Sequence, residues 1–239
     1  MAYNYIGLVN DVNRRLNEVE LKEKDFPNAI GEYGAVKESV NSAIRYINQH
    51  EFEWPFNHVE MEEKLIEGQV RYAYPDEAKT VNMDSFRIKR NKELNVSSKK
   101  LEPIAYQEYL NKFVDLEYND SDSIKGVPDY VFRTPNQQFG VINPPNAEYD
   151  IVYEYYRLPV DLIKHDDVPS IPEQFRSVIV NGSMHFAYMF RGDQNESGAM
   201  QERFKEEIKN MRALYINRFE YLRSTVLGRH TYTTTLRVS

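Results

Sequence analysis

Tyr149-Asp150-Ile151-Val152-Tyr153-Glu154-Tyr155-Tyr156, then Pro159, then Val168-Pro169-Ser170-Ile171-Pro172-Glu173-Gln174-Phe175: this stretch decides the fold. The first run is rich in β-branched and aromatic residues and reads as a strand. Pro159 stops it, and an acidic link with Asp161, Asp166 and Asp167 follows. The second run reads as a helix start. Ser170 and Glu173 have capping-box spacing, and Pro172 falls in the first turn, where its missing N–H costs nothing. Phe175, Val178, Gly182, Phe186 and Met189 then recur at steps of three and four, the period of one helix face. A strand leads through a proline-bounded link into an apolar helix, and no catalytic motif lies within it.

Upstream of that stretch the period is first helical, then alternating. Ile6, Val9, Val12 (or Asn13), Leu16 and Val19 predict a helix over 5–20. Asp25-Phe26-Pro27-Asn28 breaks it. Val36, Val40, Ala43, Ile44 and Ile47 predict a second helix from Glu32 to Gln49, so the two form a helical hairpin. Short strands are expected at 68–74, 84–88, 97–101, 129–133 and 137–143, bounded by turn residues. Pro103 to Phe113 reads as a short helix. Glu60, Glu62 and Glu63 read as a solvated acidic run. No long helix intervenes between the strands, so the sheet should be mostly antiparallel.

Downstream, Arg191-Gly192-Asp193 sits between two helical patterns, and Asp193 with Glu196 has capping-box spacing. It reads as a helix–helix turn rather than an integrin ligand. Phe204, Ile208, Met211, Tyr215, Phe219 and Leu222 form the stripe of a last helix, and Gly182 opposite it would allow close packing. The chain ends on Thr231, Tyr232, Thr233, Thr234, Thr235 and Leu236, a β-prone run placed after all the helices. It is either a frayed terminus or an arm that adds a strand to a neighbour or partner. The fold class is α+β. The helical bundle comes from 1–50 and 169–224, the β-rich insertion from 51–168, and the C-terminal arm from 225–239.

Composition excludes several functions. The 239 residues are 41% hydrophobic and 28% charged, which suits a folded chain with a sizeable core. The net charge of −7 comes with no basic stripe, which disfavours sequence-reading nucleic-acid binding. With no cysteine there is no disulfide, thiolate metal site or thiol nucleophile. No apolar run approaches the roughly 20 residues that span a bilayer, and no signal peptide is evident. The 18 tyrosines fit either a protein interface or a tyrosine-rich sheet.

Chemistry is hard to find. His50, His58, His165, His185 and His230 form no zinc-helix motif. Asn119–Ser123 lacks the glycine and distal glutamate of a calcium loop. No phosphate-cradling loop or nucleophile elbow is present. The expectation is no catalytic residue, no metal and no cofactor. A cell-wall hydrolase working through paired carboxylates, or a generic protein-binding module, is the alternative.

The succession of motifs resembles a known family. A helical hairpin is followed by Trp54-Pro55-Phe56 and by Val70-Arg71-Tyr72-Ala73-Tyr74-Pro75-Asp76. Gly126-Val127-Pro128-Asp129-Tyr130 and Phe139-Gly140-Val141-Ile142-Asn143-Pro144-Pro145 come next. Val152–Pro159, Val168–Phe175 and a helix pair close the series. This resembles the head-to-tail adaptor (connector) proteins of tailed bacteriophages, including the tail tubular protein A type. The resemblance implies a virion structural protein at the head–tail junction, assembled in the host cytoplasm. Such adaptors form rings, commonly of twelve copies, beneath the portal protein. A tail nozzle or second ring docks below, and DNA passes through without sequence-specific binding. No membrane is involved. The resemblance also makes Thr231–Leu236 the candidate portal-binding segment, because the C-terminal segment of such adaptors often reaches the portal. The stretch from Asn82 to Asp122 is longer than in the smaller adaptors.

Overall fold

The structure, a computed structural model, describes residues 2–49, 52–92, 95–118 and 121–215. It is mixed α+β, with six α-helices and two four-stranded sheets among the described residues. The chain divides into two compact units. One takes residues 1–47 and returns at 162, and the other is 48–161.

The helical unit holds α1 (Tyr5–Arg15), α2 (Glu32–Gln49, except its last residues), α5 (Arg176–Arg191) and α6 (Gln194–Tyr215). The side chain of Asn4 caps α1 by accepting the Gly7 N–H. The helix stops at Leu16 rather than continuing to residue 20. Asn17 turns left-handed at φ 58°, and Val19 is left 76% exposed. Asparagine tolerates that conformation, so the exit needs no glycine. The expected stripe of α2 is buried at every position, from Val36 to Ile47.

The link before α5 belongs to the helices. Tyr5 N–H donates to the Asp167 carbonyl at 2.8 Å and Ile6 N–H to that of His165 at 3.0 Å. These are two of the donors that a helix start leaves unpaired. Asn41 of α2, buried, grips Leu162 from both sides, donating to its carbonyl at 3.0 Å and accepting its N–H at 3.1 Å. The expected capping box before α5 does not start it. A 3₁₀ turn over Glu173–Phe175 leads in, and Phe175 precedes the helix with no side-chain cap. Gly192 ends α5 at φ 78°, and Asp193 then accepts the Glu196 N–H to open α6. The Arg-Gly-Asp run is therefore a helix–helix turn. Gly182 faces Phe204, as its place on the stripe suggests.

The β unit holds two sheets. In the first, the order is β1 (His58–Leu65), β8 (Tyr149–Arg157), β3 (Ala78–Ile88) and β4 (Lys99–Lys100), all antiparallel. In the second, the order is β2 (Arg71–Ala73), β7 (Gln138–Ile142), β6 (Tyr130–Arg133) and β5 (Glu102–Ile104), with β5 parallel to β6. The strand that decides the fold, β8, is central to its sheet. Its alternate residues Tyr149, Ile151, Tyr153 and Tyr155 are buried. A bulge in β3 sets a step of five residues, Asn82 to Arg87, against a step of two in β8. The Ser85 hydroxyl accepts the Glu154 N–H there at 2.9 Å and replaces the missing ladder bond.

Two expectations fail in this unit. Pro103 and Ile104 lie in the edge strand β5, and α3 begins only at Tyr106 and runs to Lys112, ahead of the single-turn α4 (Val114–Glu117). A proline is tolerated there because the edge needs no outward donor. The acidic run is a full strand, β1. Val59, Met61, Glu63 and Leu65 turn to the core, and His58, Glu60, Glu62 and Lys64 turn to solvent.

Candidate interaction surfaces

The segment expected to bind the portal, Thr231, Tyr232, Thr233, Thr234, Thr235 and Leu236, lies outside the described residues. The described residues offer four features that a partner could meet.

The first is the free edge of β1. Among the described residues no strand lies on its far side. Alternate residues of an antiparallel edge strand turn both N–H and C=O outward. Val59 and Met61 pack on the aromatic core yet stay only partly buried. On the solvent side, Glu60 stands directly opposite Glu154, a like-charge pair that weakens the sheet. His58 Nε2 is 3.4 Å from that Glu154 carboxylate, and Glu62 pairs with Lys89. On the core side, Glu63 accepts from the Tyr153 hydroxyl at 3.3 Å. Burial raises its pKa against that hydrogen bond. The carboxylates that dominate this run make it read as solvated loop. The signal that could find the strand is the alternation Val59, Met61, Leu65.

The second surface is a hollow of about 410 Å³ between α1 and the start of α5, lined by Asp11, Arg14, Arg15 and Arg176. It invites an anion, but its guanidiniums are engaged. Arg176 Nε donates to Asp11 at 2.6 Å, Arg14 pairs with the same carboxylate, and Arg15 donates to the Asn181 side-chain oxygen. Asn181 in turn donates to Glu207 at 2.7 Å. The cluster knots α1, α5 and α6 together.

The third is a hollow of about 540 Å³ at the α5–α6 turn, lined by Tyr46, His185, Phe186, Met189 and Gln201. Met189 and its neighbour Phe190 are 58% and 65% exposed, so the expected buried face of α5 ends before Met189. A serine and a histidine meet in its wall. His185 Nδ1 lies 2.9 Å from the Ser197 carbonyl and 3.0 Å from its hydroxyl. A carbonyl only accepts, so Nδ1 carries the hydrogen. The Ser197 hydroxyl donates to the His185 carbonyl at 3.2 Å. The arrangement ties α5 to α6 and does not activate the hydroxyl as a nucleophile.

The fourth is a run of exposed apolar residues along the chain. Leu158 and Val160 lie at the end of the β unit, and Ile163 and Val168 lie where the chain returns to the helical unit. Each pair belongs to a different unit, so these are exposed apolar residues on either side of the link rather than one patch. No helix among the described residues is long and apolar enough to cross a membrane.

A protein-family comparison matches the SU10 adaptor protein over residues 3–231. The chain belongs to the SU10 adaptor protein family. It is a bacteriophage head-to-tail adaptor, a structural protein of the virion's head–tail junction. A search of curated proteins gives no match. The adaptor's matched span covers both compact units and reaches the first residue of the candidate portal-binding segment, Thr231.

Proposed function

We propose that this adaptor forms a ring of about twelve copies that joins the portal protein to a tail nozzle or second ring and frames part of the DNA channel. The observation that carries the reading is the family match across both units. The likeness to the tail tubular protein A type rests on the motif succession from Trp54 to Phe175. Physical chemistry supports it in two ways. A net charge of −7 gives the ring little hold on phosphates, as a channel through which DNA slides requires. The exposed apolar residues Met189, Phe190, Ile163 and Val168 of the helical unit are surface that a neighbouring copy can cover.

In this reading Thr231–Leu236 is the partner-binding arm, and the portal end of the assembly depends on it. The test is mass in solution, with and without a cognate portal. A ring-sized complex on the portal is the expected result. Deleting Thr231–Ser239 should leave the monomer folded, by circular dichroism, and weaken portal docking at least tenfold, a loss of ~1.4 kcal/mol or more. A chain that stays monomeric and ignores the portal overturns the adaptor ring, and undiminished docking of the truncated chain overturns the role of the arm.

A further inference from the structure

Four strands bound the two sheets, and three of them are blunt. β2 and β5 are three residues long, β4 is two, and β5 carries Pro103. β1 runs for eight residues with its far side open among the described residues. Short edges, prolines, lysines and inward-pointing charges are how sheets refuse further strands, and β1 lacks the first two while carrying Lys64 and Glu63. Its half-covered Val59 and Met61 mark where an added strand would complete the core.

We propose that the open edge of β1 is an acceptor strand for residues 229–238 of a neighbouring copy of this chain. The two segments match face for face. Tyr232, Leu236 and Val238 share one side of an extended segment, as Val59, Met61 and Leu65 share the core side of β1. Set antiparallel, with Val238, Leu236 and Tyr232 opposite Val59, Met61 and Leu65, the segment brings Arg237 opposite Glu60 on the solvent side. An incoming arginine relieves the Glu60–Glu154 repulsion that the isolated sheet carries. Glu63, the charged residue on the core side, then faces the Thr234 hydroxyl, a donor, with Tyr232 next along the same side. Pairing β1 with a second β1 fails the same test, since it sets Glu60, Glu62 and Glu63 against their own copies. Backbone ladder bonds supply affinity in such strand addition, and alternate side chains supply selectivity.

Thirteen residues, 216–228, separate the last described residue, Tyr215, from the segment, and a stretch of that length spans at most about 45 Å. This inference rests on the adaptor reading in one respect, that copies stand side by side. It places the contribution of the arm to portal docking in ring closure, with each arm clipped to the next copy.

The native chain has no cysteine, so cross-linking can be made clean. Full-length Glu62→Cys and Thr233→Cys chains are mixed with a short thiol-to-thiol linker, alone at high concentration and on the portal. The expected product is a covalent dimer of mixed composition. A Glu202→Cys chain, altered on the exposed face of α6, should give several-fold less with Thr233→Cys. Adding Glu60→Lys to the Glu62→Cys chain should cut the yield several-fold, and adding Arg237→Glu to the Thr233→Cys chain should restore it. Glu60→Lys also removes the repulsion from Glu154, so the variant should be at least as stable as the parent while its cross-linking falls. No mixed dimer above the control in either condition, or a link formed only within single chains of the Glu62→Cys/Thr233→Cys double variant, overturns the proposal. Portal binding by mass reads the adaptor separately, so a ring that forms without the cross-link sinks this inference and leaves the adaptor standing.

Discussion

The two compact units solve the same problem, burying polar ends inside a core, with different residues. The helical unit uses asparagine. Its core is mainly aliphatic, with Leu8, Val9, Val12, Val36, Val40, Ile47 and Ile179 buried. Asn10 and Asn41 bind backbone groups of Leu21 and Leu162 as both donor and acceptor, and so pin irregular segments to helices. The β unit uses tyrosine. Phe86 and Tyr153 stack at 4.6 Å with planes 5° apart, and Phe139 packs on Tyr72, Tyr74 and Tyr153. The hydroxyls then reach polar groups at the rim. Tyr155 donates to Glu77 at 2.7 Å, Tyr149 to Asn146 at 2.6 Å, and Tyr72 to the Gln69 carbonyl at 2.9 Å. Burial pushes Tyr72, Tyr74 and Tyr155 up to about 12. A helix can turn a short amide toward a neighbouring loop, whereas a sheet face needs area first and a polar tip only at its margin. Abundant tyrosine is therefore core material in this β unit.

The sharpest way to break that contrast is to remove an aromatic from the β core. Phe139→Ala should cost about 3–5 kcal/mol, because the ring is fully buried among three tyrosines that cannot collapse onto the gap. Urea denaturation reads the loss, and amide exchange locates it. Protection should fall in β6, β7 and β8. An equal fall throughout α5 and α6 would make the two units one cooperative block and end the comparison.

A smaller effect tests the helical unit through its glycines. Gly to Ala inside a helix ordinarily stabilises by about 0.4–1 kcal/mol. Gly198→Ala on α6 should do so, since a Cβ there meets nothing within 4 Å. Gly182→Ala on α5 should reverse the sign and cost about 1–3 kcal/mol. A Cβ there stands 2.6 Å from the buried Phe204 ring and 3.0 Å from the Ala43 methyl. Thermal melts of the two variants decide it, and a stabilised Gly182→Ala would mean that the Phe204 ring moves aside freely.

Much of the architecture is legible in the amino-acid sequence, and the physical reason differs by element. The stripe of α2 repeats at 3.6 residues for about three turns, as does that of α6 from Phe204 to Tyr215, so they survive single exceptions, while Phe219 and Leu222, expected to extend the second, lie outside the described residues. β8 alternates without a break, and its expected and observed limits agree to within one residue. β1 alternates too, but Glu63 occupies a core-side position, and a charge there hides the period. The end of α1 is hidden for another reason. Val19 continues the stripe, and only the left-handed Asn17 stops the helix. The start of α5 looks capped by Ser170 and Glu173, whereas a 3₁₀ turn carries the chain in. The family is legible because no single motif carries it. The acceptor edge is not, because an edge exists only once its sheet is built.

The smallest effect sits on that edge. Burial raises the Glu63 pKa, and the Tyr153 hydroxyl offsets this only in part. A carboxyl raised in the folded state holds its proton where the unfolded chain, near ~4.3, has lost it. Its contribution to stability is therefore full below that value and declines as pH rises through the folded pKa. Glu63→Gln removes the titration while its side-chain oxygen can still accept from Tyr153. Urea midpoints from pH 4 to 7 should fall less steeply in the variant than in the parent, and identical slopes would show that solvent already satisfies the ionised carboxylate. The test sharpens in the assembled state. If the arm of a neighbour brings Thr234 and Tyr232 to Glu63, the ionised form gains donors, and the parent's slope should flatten toward that of the variant only in the ring.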